Sequence, residues 1–187
     1  MSLKGKILNT WEVDTDAVTQ SQEVKDIAMA LGLEPGCRTL ENLRYGKICI
    51  LADADTDGAH IATLICALFL KHFRPLVEAG HVFIAQPPLF RIDQGKEVFY
   101  ALDEDEKEKI VKQLNSKNKQ KKIEIQRFKG LGEMNPSQLR ETTMELDGRR
   151  LLKLTLEKGN TSTSLMDMLL SKKRAGDRKN WLETKGD

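Results

Sequence analysis

The sequence predicts an α/β fold: a parallel sheet flanked by helices, with a smaller α+β and helical tail. An apolar run at 48–52 is typical of a buried strand, and apolar residues at helical spacing follow it from 61 to 69. A second short apolar run, 82–85, is closed by a pair of prolines. Strand, helix and strand in this order form a βαβ unit, whose crossover is expected to be right-handed.

The helices around the first strand have recognisable starts and ends. Apolar residues recur at amphipathic spacing in Gln22–Leu33, and a glycine and a Pro-Gly pair terminate that pattern. After the strand at 47–52, Asp57 is placed to cap the next helix, which Pro75 ends or kinks. The sequence therefore predicts a helix in Gln22–Leu33, before this strand, and another helix directly after the strand.

Turn residues and periodicity predict the remaining elements. In chain order they are a hairpin at 90–101 around Gln94-Gly95, a helix at 103–114 with an acidic first turn, a polar linker at 115–122, a strand at 123–128, a helix opened by Asn135 and Pro136, and a helical tail at 164–182 with Leu165, Met168 and Leu169 on one face.

Composition excludes several classes of protein. The chain is 40% hydrophobic and 31% charged, which is ordinary for a soluble globular protein. Its longest nearly apolar stretch, 61–70, is too short to span a bilayer, so no membrane contact is expected. The three cysteines are too scattered for a zinc site and are typical of core thiols in a reducing cytoplasm. A net charge of +2 neither demands nor excludes nucleic acid.

Asp53, Asp55 and Asp57 alternate directly after the first strand. Carboxylates this close repel one another, and a divalent cation with a preference for oxygen ligands, such as Mg²⁺, relieves that repulsion. Open α/β sheets place their ligands at the carboxyl ends of strands. The pattern favours metal-dependent phosphate chemistry. The alternative is that Asp57 caps a helix and the other two aspartates are loop residues.

Other acidic and nucleotide motifs fit less well. An EF-hand loop starting at Asp53 requires a glutamate at its twelfth position, where Leu64 stands. Haloacid-dehalogenase-type phosphatases place Thr or Val where Asp57 stands, which leaves a phosphatase as a second hypothesis. No Gly-x-x-x-x-Gly-Lys-Ser/Thr phosphate loop is present, and Ser/His/Asp catalysis has no support. His60 either orients a ligand or caps and packs the first helical turn.

The stretch Ala52–Ile61 resembles the acidic signature of the Toprim domain in type II DNA topoisomerases. Three further stretches agree with that family: 4–9, 85–89 and 128–135. Within the family, 168–174 and 177–182, and the lack of a large insertion after Ala101, favour the bacterial topoisomerase IV branch; a gyrase B segment is the alternative. The resemblance implies a Rossmann-like Toprim domain at 1–97, a connecting helix and linker at 98–122, and a C-terminal tail region at 123–187.

The resemblance also implies a site. Asp53 and Asp55 are the expected catalytic residues and would hold Mg²⁺, with Asp57 supporting them. Breakage and rejoining of DNA would use a tyrosine of the A subunit of topoisomerase IV, in an A₂B₂ heterotetramer, so Tyr45 and Tyr100 are expected to be packing residues. The residues expected to line the DNA and quinolone drug pocket are Lys4, Glu23, His60 and Lys129.

Further expectations concern what the chain lacks. The family's catalytic glutamate lies in a Glu-Gly-Asp-Ser-Ala segment upstream of the motif that begins at Lys4, and that segment is absent here. ATP binding belongs to the full-length protein alone. We therefore expect this chain by itself to bind Mg²⁺ weakly and to perform no strand passage. The intact enzyme would relax and decatenate DNA during chromosome segregation in the bacterial cytoplasm. A non-catalytic, metal-stabilised module that docks DNA or the A subunit is the hypothesis of a different class.

The stretch Lys129–Asn135 is open to two interpretations. Its glycines either cradle a phosphate or form a close-packed turn against the acidic loop, with Lys129 facing a DNA phosphate. We favour the close-packed turn.

Overall fold

The computed structural model describes residues 1–117, 121–157 and 161–186. Part of the predicted linker, 118–120, therefore lies outside the described residues. The α-helices are α1 (Thr15–Gln20), α2 (Gln22–Leu31), α3 (Thr56–His72), α4 (Arg74–Glu78), α5 (Glu104–Lys117), α6 (Pro136–Leu139), α7 (Thr161–Leu170) and α8 (Ala175–Lys185). The strands are β1 (Ile48–Ile50), β2 (Val82–Ala85), β3 (Phe90–Gln94), β4 (Glu97–Ala101), β5 (Ile123–Arg127) and β6 (Leu151–Lys153).

The described strands form two sheets. One has the order β1-β2-β6, and the other has the order β4-β3-β5 with antiparallel neighbours. Because β1 and β2 are neighbours and α3 and α4 connect them along the chain, the predicted strand–helix–strand unit is confirmed. None of the helices in the described ranges is long and apolar enough to cross a bilayer.

The chain divides into two compact units. The first comprises 1–48, 60–83 and the described part of 153–187. Its most deeply buried side chains come from several helices and one strand and include Val18, Val24, Leu68, Phe73, Leu76 and Val82. In α2 the predicted helix is confirmed: Ser21 caps its start, and Gly32 ends it in the left-handed conformation at φ 77°.

The second unit comprises 49–59 and 84–152. Its core cluster joins the β4-β3-β5 sheet to α5 through Phe90, Ile92, Ala101 and Leu114. The predicted hairpin is confirmed, since Gln94 pairs with Glu97 and Gly95 turns the chain at φ 68°. The boundaries of the three consecutive domains expected from the resemblance stay a prediction.

A capping box opens α6 in the second unit. The Asn135 side chain accepts a hydrogen bond from the Gln138 amide at 2.9 Å, and the Gln138 side chain accepts one from the Asn135 amide at 2.9 Å. Pro136 occupies the first helical turn, where its missing N–H costs nothing. The predicted helix start at Asn135 and Pro136 is confirmed.

We expect Asn135→Ala to lower the free energy of unfolding by about 1 kcal/mol, because the Gln138 amide at the start of α6 loses its side-chain partner. Chemical denaturation measures this change. The matched control is Ser137→Ala, at an exposed position inside the same helix, which should stay within about 0.5 kcal/mol of the parent. Equal effects of the two substitutions would contradict the capping role.

The predicted helical tail is interrupted. After α7 ends at Leu170, Lys172–Arg174 form a 3₁₀ turn before α8 begins. Arg178 Nη1 donates to the carbonyls of Met168 and Ser171 at 2.8 and 2.6 Å, so carbonyls left open by the break are satisfied. The predicted apolar face was wrong at Leu165, which is 45% exposed; the buried residues of α7 are Met166, Met168 and Leu170.

Candidate metal centre

The acidic residues occupy the loop between β1 and α3 in the second unit. β1 ends at Ile50 and α3 begins at Thr56, so Asp53 and Asp55 lie between a strand end and a helix start. Asp57 lies in the first turn of α3, and all three aspartates are exposed. The predicted position at the carboxyl end of a strand is confirmed.

Asp55 performs the capping role that the sequence suggested for Asp57. It directly precedes α3, its Oδ1 accepts a hydrogen bond from the Gly58 amide at 2.7 Å, and its carbonyl accepts one from the Ala59 amide at 2.9 Å. The expected cap at Asp57 was therefore wrong by two residues. Both residues are good N-cap types, and β1 ends at Ile50, early enough for α3 to begin two residues sooner.

A second segment reaches the loop at Asp53. The Leu131 amide donates to Asp53 Oδ1 at 2.7 Å, across 78 positions in sequence. A Cβ atom on Gly130 would lie 3.0 Å from Asp53 Cγ, so the absence of a side chain at Gly130 permits this approach. The close-packed turn favoured for Lys129–Asn135 is thus confirmed.

That turn is closed by its own glutamate. Glu133 Oε2 accepts a hydrogen bond from the Lys129 amide at 2.8 Å, and Leu131–Glu133 form a 3₁₀ turn. The arrangement leaves the Leu131 amide directed at Asp53. Glu133 and the Leu131 amide were not among the predicted site residues, although both lie within the stretch that carried the resemblance.

The first turn of α3 also approaches the Asp53 backbone closely. A Cβ atom on Gly58 would lie 2.0 Å from the Asp53 carbonyl oxygen. The first turn of α3 therefore lies directly against the Asp53 backbone, and the Leu131 amide holds the Asp53 carboxylate.

A cavity beside the loop is too small to bind a ligand. Its volume is about 10 Å³, close to the minimum for one water molecule. It is mainly apolar and supports the loop by packing; its lining residues include Ala54, Pro88, Phe128, Gly130, Leu131 and Met134.

The donor set fits Mg²⁺. Asp53 and Asp55 each accept a hydrogen bond from a backbone amide through one carboxylate oxygen. Among the described residues, neither forms an ion pair with a lysine or arginine. No three His, Cys, Asp or Glu side chains in 1–117, 121–157 and 161–186 converge to hold a metal by themselves. Mg²⁺ does not require such a group, because it keeps several waters and is usually bound through one or two carboxylates and substrate phosphates.

The other predicted pocket residues are divided between the units. Lys4, Glu23 and His60 belong to the first unit, and Lys129 belongs to the second. All four are exposed, and Glu23 accepts a hydrogen bond from the Ser21 hydroxyl at 3.0 Å. Within the second unit, two predicted site segments meet: the Leu131 amide of the Lys129–Asn135 stretch donates to the Asp53 carboxylate.

The two tyrosines differ in burial. Tyr100 is half-buried and its hydroxyl donates to Glu141 at 3.0 Å. Burial, together with this carboxylate, raises the pKa of Tyr100 to about 12, so the phenol is protonated at neutral pH. The packing role expected for Tyr45 was wrong, because that residue is 56% exposed.

We expect Gly130→Ala to weaken Mg²⁺ binding about tenfold, because the new methyl group displaces the Asp53 carboxylate that the Leu131 amide orients. Gly130 has an extended φ of −168°, so the substitution adds no backbone strain. Gly132→Ala is the matched control, since nothing lies within 4 Å of its Cβ position. Calorimetric Mg²⁺ titration distinguishes them; equal affinities would contradict the orienting role.

Family models match two parts of the chain. The Toprim domain matches residues 1–87, and the DNA gyrase B subunit carboxyl terminus matches residues 120–183. Together these segments cover more than half of the chain.

Curated relatives match all or nearly all of the chain. The B subunit of DNA topoisomerase 4 from Pseudomonas aeruginosa is 65% identical over 187 residues, and that from Escherichia coli is 63% identical over 189 residues. The B subunit of DNA gyrase from Halalkalibacterium halodurans is 45% identical over 179 residues, which cover 95% of the chain and 27% of the relative. The chain spans 30% of the length of each of the two topoisomerase 4 relatives, and the matches cover 100% of the chain.

A solved structure supports the fold. The DNA-binding, cleavage and re-ligation domain of Plasmodium falciparum topoisomerase II matches with a TM-score of 0.75. At 24% identity the match covers 96% of this chain and 24% of that one, so it bears on the fold alone. The two family models and the sequence identities above, together with this fold, assign the chain to one family. The chain belongs to the type II DNA topoisomerase family and carries its Toprim domain and its gyrase B carboxyl-terminal region.

Proposed function

We propose that this chain supplies the metal-binding part of the DNA cleavage and religation site of a bacterial topoisomerase IV, as a segment of its B subunit. The observation that carries the proposal is the acidic loop, whose Asp53 and Asp55 have amide-oriented carboxylates and no neutralising cation among the described residues. The identity of 60–65% with several topoisomerase 4 B subunits, against 45% with a gyrase B, favours this branch.

In this proposal Asp53 and Asp55 hold Mg²⁺, and Asp57 supports them from the first turn of α3. The bound metal would stabilise negative charge on the departing 3′ oxygen when the DNA backbone breaks. The amides of Gly58 and Leu131 fix the two carboxylates before any ligand arrives. That preorganisation lowers the cost of arranging the site during the reaction.

The remaining residues act on DNA. Lys129 is exposed at the turn that holds Asp53, so its ammonium group is available to a DNA phosphate. Lys4, Glu23 and His60 would line the cleavage pocket where quinolone-type drugs bind. The attacking tyrosine would come from the A subunit in the A₂B₂ enzyme of the bacterial cytoplasm, and ATP would bind parts of the full-length protein outside this chain.

The test is DNA cleavage by the intact B subunit assembled with its A subunit. Supercoiled plasmid is incubated with or without Mg²⁺, and covalent complexes are trapped with denaturant. Linear and nicked DNA should appear with Mg²⁺ and disappear with a chelator. Equal cleavage without a divalent metal would contradict the proposal. Release of phosphate from small phosphomonoesters by this chain alone would instead favour the phosphatase hypothesis.

A further inference from the structure

A cleft lined by several charged residues lies in the first unit and shares no residue with the acidic loop. Its volume is about 340 Å³, within the range of small-molecule sites. The loop after α2 forms one wall, and the end of α3 with the start of α4 forms the other. The Gly36 amide donates to the His72 carbonyl at 2.6 Å and so joins the two walls. Its charged and titratable lining residues are Cys37, Arg38, Lys71, His72, Arg74 and Glu78.

Three cationic side chains of this cleft keep donors that make no hydrogen bond within the part of the chain that the structure describes. Arg38 is exposed, and its guanidinium makes no hydrogen bond or ion pair within the described residues. Arg74 donates from Nε to Glu78 at 2.7 Å, which leaves its terminal nitrogens. Lys71 Nζ donates to the Thr10 and Trp11 carbonyls at 2.8 and 3.2 Å and keeps one of its three N–H groups.

A buried histidine also lines the cleft. His72 is 8% exposed, and burial lowers the pKa of its imidazole below the usual value. The ring is therefore neutral at pH 7 and adds no positive charge to the cleft.

The charge balance favours an anion. Arg38, Lys71 and Arg74 contribute three positive charges and Glu78 one negative charge, so the net charge is +2 with His72 neutral. Lys71 and His72 lie at the C-terminal end of α3, where the helix dipole contributes about half a unit of negative charge. This partial charge disfavours an anion. The cations outweigh that dipole.

We propose that this cleft binds a phosphate-class oxyanion, held by Arg38 and the terminal nitrogens of Arg74 with Lys71 beside them. A planar guanidinium matches the geometry of phosphate oxygens bidentately. The phosphate belongs either to a DNA backbone or to a free phosphate compound. The site uses none of the acidic-loop residues, so it stands or falls separately from the proposed metal centre.

The experiment uses the 187-residue chain with two probes. Inorganic pyrophosphate is titrated by calorimetry, and a fluorescent 30-base-pair duplex is titrated by anisotropy at several salt concentrations, both without Mg²⁺. Arg38→Ala should weaken binding about tenfold, and with the duplex it should reduce the salt slope by about one. Glu78→Gln should tighten binding about two- to fivefold, because it removes the opposing charge and releases Arg74. Lys25→Ala, at an exposed position of α2 outside the cleft lining, is the control.

The outcomes separate the sources of phosphate. An Arg38 effect on the duplex alone assigns the site to a DNA backbone, and an effect on pyrophosphate alone assigns it to a free phosphate compound. An effect on both supports the shared chemistry. The proposal is overturned if Arg38→Ala changes neither probe, if Lys25→Ala has the same effect, or if Glu78→Gln weakens binding while the chain stays folded.

Discussion

Replacing Asp55 by asparagine is expected to lower DNA cleavage by the assembled topoisomerase about 10²–10³-fold while leaving the stability of the chain nearly unchanged. Asparagine keeps a side-chain oxygen that accepts the Gly58 amide, and it is as good an N-cap as aspartate. It lacks the negative charge through which the Asp55 carboxylate attracts Mg²⁺. The substitution therefore separates the two roles of Asp55, and trapped covalent complexes on plasmid DNA measure the catalytic one.

Two further variants complete this test. Asp55→Ala should lose cleavage to the same extent and also about 1 kcal/mol of stability, because the cap of α3 is removed as well. Asp105→Asn changes an exposed carboxylate in the first turn of α5 and should leave cleavage unchanged. If the Asp55 variants cleave DNA as the parent does, Asp55 is not a catalytic residue.

Gly58→Ala is expected to lower the free energy of unfolding by about 2–3 kcal/mol. Its methyl group would lie 2.0 Å from the Asp53 carbonyl oxygen, a backbone atom that cannot move without displacing the acidic loop. Alanine is otherwise favoured over glycine inside a helix, so the sign of the effect reports the contact and not helix propensity. Chemical denaturation gives the change, and Mg²⁺ binding should weaken with it.

The control for Gly58 is another helical glycine. Gly176 lies in α8 with nothing within 4 Å of its Cβ position, so Gly176→Ala should be neutral or should stabilise the chain by up to about 1 kcal/mol. Opposite signs at the two glycines are the expected result. A neutral Gly58→Ala would mean that α3 does not approach the loop as described.

Local patterns were sufficient for much of the fold. The strand β2, the hairpin turn at Gly95 and the helix start at Asn135 each depend on residues close together in sequence, and each was predicted. The start of α3 was not, because Asp55 and Asp57 are equally good caps and the choice depends on where β1 ends.

The tail shows why other features were missed. Periodicity suggested helix from 164 to 182, but the Lys172 amide donates to Glu12 at 2.7 Å, and that contact at the break spans 160 positions. Such a contact leaves no trace in a local pattern. Leu165 was placed on the buried face for the same reason: spacing gives the period of a helix but not which neighbours cover it.

The site was predicted at the level of residue type. Alternating carboxylates after a strand indicated the loop, and the resemblance added the turn at Gly130. The sequence could not reveal that the Leu131 amide, rather than a side chain, orients Asp53, because every residue other than proline has an amide. Glycine at 130 was the available signal, since close backbone approach is a common reason for that residue.

The central claim, that Asp53 and Asp55 bind Mg²⁺, is tested most directly by NMR titration of this chain with MgCl₂, following the backbone amides of Gly58 and Leu131. These amides donate to the two carboxylates, so they report on any metal bound there. We predict saturable shifts of both resonances in the parent chain and none in the Asp53→Asn, Asp55→Asn double variant. Resonances that stay fixed in the parent chain, or that move equally in the double variant, would contradict the claim.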